Sequence, residues 1–156
     1  MSSIRAVIDT NIFVNGLFKN EDFAKAVFQL KMLNKITFVM NKEMQNELLC
    51  TFTDILIKAL QHKKEINKLI DIIPLVTMLS KCLWQVEEID RIIHTDYCKE
   101  DKSDNKFIDC CIDGNINYLI TQDMHINSVA DEIKEKYNIE VLSPMQFYTR
   151  YKSNQL

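Results

Sequence analysis

"DKSDNKFIDCCIDGNINYLITQD", residues 101–123, holds a helix, a stop and a strand in one run. Phe107, Ile108, Cys111 and Ile112 recur at the spacing that gives a helix one apolar face. Gly114 follows as a terminator, and Tyr118–Thr121 reads as a short buried strand. One acid, Asp104, opens the helix, and another, Asp123, follows the strand. A helix followed at once by an apolar strand is the repeating unit of a parallel α/β sheet.

The rest of the chain repeats that alternation. Ile4–Ile8 reads as a strand ending on Asp9, and a helix is expected over Glu21–Leu33. Ile36–Met40 is β-branched and aromatic, hence a second strand. From Lys42 to about Leu60, Met44, Leu48, Phe52, Ile55 and Ala59 keep helical spacing, and another helix is predicted over Lys64–Leu79, interrupted or ended near Pro74. Leu83–Val86 reads as a short strand, Ile126–Tyr137 as a helix and Glu140–Leu142 as a strand, and Pro144 starts a last short helix. The pattern predicts a mainly parallel sheet of four to five strands covered by helices. With no repeat, low-complexity tract or linker, residues 1–156 read as one domain.

Composition narrows the function classes. Hydrophobic residues at 47% and charged residues at 26% exclude a disordered chain. Two glycines and two prolines leave little material for a turn-rich β-sandwich. No apolar run reaches the roughly 18 residues of a membrane span, and the N-terminus lacks a signal-peptide layout, so a cytoplasmic protein is expected. The five cysteines include no CxxC pair, and adjacent Cys110 and Cys111 would point about 100° apart on a helix, which predicts reduced, buried thiols. A net charge of −3 without a basic tail argues against a broad phosphate-neutralising surface. It leaves room for an enzyme that meets a polyanion through bound cations.

Ligands of a parallel α/β sheet bind beyond the carboxyl ends of its strands. Asp9 and Asp123 follow directly on strands there, although each also suits a helix N-cap. Asp104 shares a helix face with Phe107 and Ile108. Glu47 lies beside the apolar row of Met44 and Leu48, where a carboxylate needs a cationic partner or pairing with a lysine. Four carboxylates gathered at one mouth repel one another, and oxygen-only ligands suit Mg²⁺ or Mn²⁺. Two such ions about 4 Å apart would activate water and stabilise the leaving oxygen of a phosphodiester.

"VIDTNIFVNGL" (7–17), "NELLCTF" (46–52), residues 101–123 and "IEVLSPMQFY" (139–148) resemble PIN-domain proteins in order and spacing. The resemblance is strongest to the branch described as toxin components of toxin–antitoxin systems, related to VapC-type toxins. It implies a three-layer α/β/α fold and a metal-dependent endoribonuclease for single-stranded RNA. It further implies a quartet of Asp9, Glu47, Asp104 and Asp123 binding Mg²⁺ or Mn²⁺, supported by Thr10, Asn11 and Thr121. An antitoxin protein and a homodimer are the implied partners. The chain departs from the family pattern at Asp101-Lys102-Ser103, where relatives carry Asp-Pro, and Asp101 becomes an added supporting residue. Gln122 precedes Asp123 where many relatives have Gly, and Met124-His125 replaces the common Lys/Pro-Asp-Leu.

Lys99, Lys102 and Lys106 near the acids read as contacts to RNA phosphates or as solvated helix faces, and Lys63, Lys64 and Lys68 read first as a solvated helix face and second as a phosphate contact. His62, His94 and His125 read as surface residues, and Trp84 as core or interface. The apolar residues of Ile66–Leu79 are expected in the core or at a homodimer or antitoxin contact. Two other readings are weighed: a catalytically inactive PIN-like binding module, and a haloacid-dehalogenase-like phosphatase. The latter wants a second Asp two residues after the first, where this chain has Asn11.

Overall fold

The computed structural model describes residues 3–19, 21–61, 73, 76–77, 79–80 and 83–156, with the backbone alone for 59–61. The strands are β1 (Ile4–Ile8), β2 (Ile36–Met40), β3 (Glu87–Glu88), β4 (Tyr118–Ile120) and β5 (Glu140–Leu142). They form one sheet in the order β3-β2-β1-β4-β5, and every neighbouring pair is parallel. Around it lie α1 (Thr10–Leu17), α2 (Asp22–Met32), α3 (Lys42–Gln61), α4 (Asn105–Asp113), α5 (Met124–Ser128), α6 (Ala130–Tyr137) and α7 (Pro144–Lys152). The result is the expected α/β/α sandwich.

β1 is the central strand, and Ala6, Val7 and Ile8 are each 0% exposed, as a strand covered on both faces requires. The order 3-2-1-4-5 means the chain winds outward from β1 in one direction and from β4 in the other. The gap beyond the carboxyl ends of β1 and β4 is therefore the topological switch point, where such sheets bind ligands.

Three elements differ from the pattern read in the sequence. No helix was expected between Asp9 and Glu21, yet α1 forms there and buries Ile12, Phe13, Gly16 and Leu17. Phe13 packs on Phe28 and Phe38, with ring centroids 5.2 and 5.8 Å away. The strand expected at Leu83–Val86 falls instead at Glu87–Glu88, because Gln85 turns into the left-handed region (φ 61°) and delays entry to the sheet. The helix expected over Ile126–Tyr137 is two, broken at Val129, where side chains of Asn127 and Ser128 take the carbonyls of Asp123 and His125.

The helix expected over Lys64–Leu79 lies mostly outside the described residues, as do Lys63, Lys64, Lys68, His62 and Cys82. Trp84 is no core residue, being 73% exposed. Cys98, Cys110 and Cys111 are buried free thiols, and Cys50 is an exposed one. Among the described residues no helix is long and apolar enough to cross a membrane.

Candidate active site

Asp9 continues the β1 ladder, its amide donating to the Ile120 carbonyl of β4 at 3.0 Å. Its carboxylate is 2% exposed. Oδ1 accepts the Asn11 amide at 2.9 Å, which caps α1, and Oδ2 accepts the Thr121 hydroxyl at 2.6 Å. The cap and the site are thus the same residue. Burial pushes the Asp9 carboxyl above its usual range against these hydrogen bonds, and the charges of Asp123 and Glu47 push it further.

Asp123 stands at the matching end of β4. Its carboxylate caps α5 by accepting the amides of His125 at 2.7 Å and Ile126 at 3.3 Å. Its own amide donates to Thr121 Oγ1 at 2.9 Å, so one hydroxyl ties both acidic corners together. Beside it, Asn11, Asn15, Lys19, Gln122, Asp123, Met124 and His125 line an open groove of about 300 Å³. His125 Nδ1 faces Glu100 at 3.6 Å.

Asp104 behaves differently. It stands at the N-terminus of α4, but its side chain makes no capping bond. The turn before it is ordered by Asp101, which accepts the Ser103 amide at 3.0 Å and hydroxyl at 2.6 Å. The half-buried Asp104 carboxyl is pushed up to about 7, by burial first, then by Asp123, Asp101 and Asp9, and the Lys106 ammonium offsets only part of this.

Glu47 lies on α3, half-buried, and pairs with Lys106 of α4. Lys106 is far from the solvated phosphate contact expected of it: its side chain is 6% exposed. Lys99 and Lys102 are exposed, and Lys102 faces Asp96 at 3.5 Å. Thr10 Oγ1 is buried with no hydrogen-bond partner.

Two asparagines that the sequence reading passed over frame these acids. Asn41 follows β2 as Asp9 follows β1, a strand-end position that could have marked it. It caps α3 at Met44 (2.9 Å) and donates to the Lys106 carbonyl at 3.1 Å, locking α3 to α4. Asn105 is buried beside Asp104, accepting the Cys98 amide at 2.9 Å and donating to the Cys98 carbonyl at 3.2 Å.

The structure thus brings Asp9, Asp104, Asp123 and Glu47 into one electrostatic neighbourhood at the switch point. The donor set is all oxygen, and two of its carboxyls are raised by burial and then by neighbouring acids, a charge a hard divalent cation relieves. Among the described residues, however, no three acidic, histidine or cysteine side chains are arranged as they stand to hold a metal ion.

The fold is similar to a chain in the crystal structure of VapBC2 from Rickettsia felis bound to a DNA fragment from their promoter. The TM-score is 0.52 at 17% identity, over 90% of this chain and 98% of that one. Comparison with curated proteins gives no match. Residues 5–125, which include all four acids, match the PIN domain model, and the chain belongs to the PIN domain family.

Proposed function

We propose that the chain is a Mg²⁺- or Mn²⁺-dependent endoribonuclease that cuts single-stranded RNA, and that it is the toxin of a toxin–antitoxin pair. The observation that carries this reading is the gathering of Asp9, Asp104 and Asp123 beyond β1 and β4, with Glu47 beside Asp9, where burial and then neighbouring charge raise the Asp9 and Asp104 carboxyls. Helix capping accounts for Asp9 and Asp123 one at a time but not for their gathering with Asp104, and a bound cation would neutralise that excess. When bound, the ion contributes activation of water and charge neutralisation at the phosphodiester.

The chain's own residues do the rest. Asp9, Asp104 and Asp123 would hold the cation; Thr121 and the Asn11 amide fix the Asp9 oxygens. Asp101 orders the turn before Asp104. Exposed Lys99 and Lys102 meet the RNA backbone. The VapBC2 likeness supports an antitoxin as the partner; a cytoplasmic location and a homodimer belong to the same reading.

Labelled single-stranded RNA tests the activity. Cleavage is expected with Mg²⁺ or Mn²⁺, to vanish in EDTA, and to fall by more than about 100-fold in Asp9→Asn, since losing even an outer-shell partner of a ligand costs about 10–100-fold. Undiminished cleavage by that variant removes Asp9 from the mechanism. The pairing of Lys106 with Glu47 favours a second reading, an inactive PIN-like binding module. That reading predicts neither cleavage nor uptake of Mn²⁺.

A further inference from the structure

Lys106 sits two residues into the first turn beyond Asp104, in the midst of the acids. Its ammonium pairs with Glu47 and donates to the Ser103 carbonyl at 2.7 Å. It lies 4.5 Å from the centre of the Phe107 ring. Its backbone carbonyl is taken by buried Asn41, which fixes the start of the side chain as well as its end. A lysine held at both ends and 6% exposed is not free to reach a substrate phosphate. It is a built-in cation.

We propose that the Lys106 ammonium takes the place of a second metal ion at the acidic mouth. It commits Glu47, so that the divalent ion of the proposed nuclease rests on Asp9, Asp104 and Asp123 without Glu47. A second ion near Glu47 would lose that ligand to the ammonium and face its like charge at close range. The centre then works with one divalent ion and one fixed ammonium, and Lys106 and Glu47 are positioning residues. This inference rests on the metal-dependent reading above.

Mn²⁺ uptake, measured by calorimetry and by the spin-resonance signal of free Mn²⁺, tests it without any activity readout. Lys106→Met keeps the length of the stem and removes the charge; it is expected to bind one more Mn²⁺ per chain than the wild type. Lys106→Arg, which keeps the charge, is expected to gain none. Adding Glu47→Gln to Lys106→Met is expected to abolish the gain. Equal uptake by Lys106→Met and wild type, or a gain that survives Glu47→Gln, overturns the assignment.

A second arm avoids dependence on how Lys106→Met folds. Glu47→Gln alone is expected to leave the uptake of the wild type unchanged, and a lost ion overturns the proposal. Uptake by Lys106→Met but not by the wild type overturns the one-ion centre together with the metal-dependent reading of the native chain. Absence of uptake in both overturns both.

Discussion

The Thr121 hydroxyl donates to Asp9 Oδ2 at 2.6 Å and accepts the Asp123 amide at 2.9 Å, so it joins the carboxyl ends of β1 and β4. Thr121 is fully buried, and water cannot replace either bond. Thr121→Val keeps the shape and removes both. It is expected to cost about 1–3 kcal/mol in urea unfolding, the range for stranding a buried polar partner. Thr121→Ser is expected to retain most of that stability. A Thr121→Val protein as stable as the wild type would mean the hydroxyl holds nothing in place.

Crowding of the acids makes a second expectation about pH. Burial first, and then the neighbouring acids, push the folded Asp104 carboxyl from an ordinary 3.8 up to about 7, and Asp9 is raised too. The folded state therefore holds these protons more tightly than the unfolded chain does. Their contribution to stability is fully present below about 3.8 and is lost as pH rises toward about 7. In EDTA, the melting temperature is expected to fall across that window, and Asp104→Asn is expected to flatten the fall. Mg²⁺ or Mn²⁺ added above pH 7 is expected to restore stability. A wild-type profile no steeper than that of Asp104→Asn refutes the account.

Period and position made much of this legible. The strands at Ile4–Ile8 and Ile36–Met40 match their expected spans, because fully covered parallel strands are continuous apolar runs. Asp9 and Asp123 were visible as residues following strands. What escaped was tertiary. Nothing local says that Lys106 of α4 turns inward to Glu47 of α3, or that Asn41 reaches the Lys106 carbonyl across 65 residues of chain. Capping and a place at the site do not exclude each other: Asp9 and Asp123 cap helices while facing the site, and Asp104 caps nothing. α1 was missed because Asn11, Asn15 and Gly16 dilute its apolar pattern, and its burial comes from α2.

That last contact gives a packing test. A Cβ on Gly16 would stand 2.5 Å from Phe28 Cε2 and 3.1 Å from Ala24 Cβ. Phe28 is 0% exposed and wedged between Phe13 and Phe38, so its ring has no free direction in which to move. Gly16→Ala is thus expected to destabilise by about 1–3 kcal/mol despite the higher helix propensity of alanine. A stabilised Gly16→Ala protein would show that α1 and α2 do not approach so closely.

Asp109 offers a test that separates the frame from the site. It is 0% exposed on α4 and accepts Arg91 Nε at 2.9 Å and a terminal guanidinium nitrogen at 2.6 Å. The Thr95 amide and hydroxyl complete its shell at 2.9 and 2.6 Å, tying the segment after β3 to α4. Arg91→Met strands a buried carboxylate and is expected to cost about 3–5 kcal/mol, whereas Asp109→Leu with Arg91→Met removes both charges and should recover much of it. Arg91 also pairs with Glu43 at the exposed start of α3, a contact that adds little by itself. The double variant leaves Asp9, Asp104 and Asp123 untouched, so its Mn²⁺ uptake is expected to equal that of the wild type. Lost uptake in a folded double variant would mean that the Arg91–Asp109 tie positions Asp104 and is part of the site rather than of its scaffold.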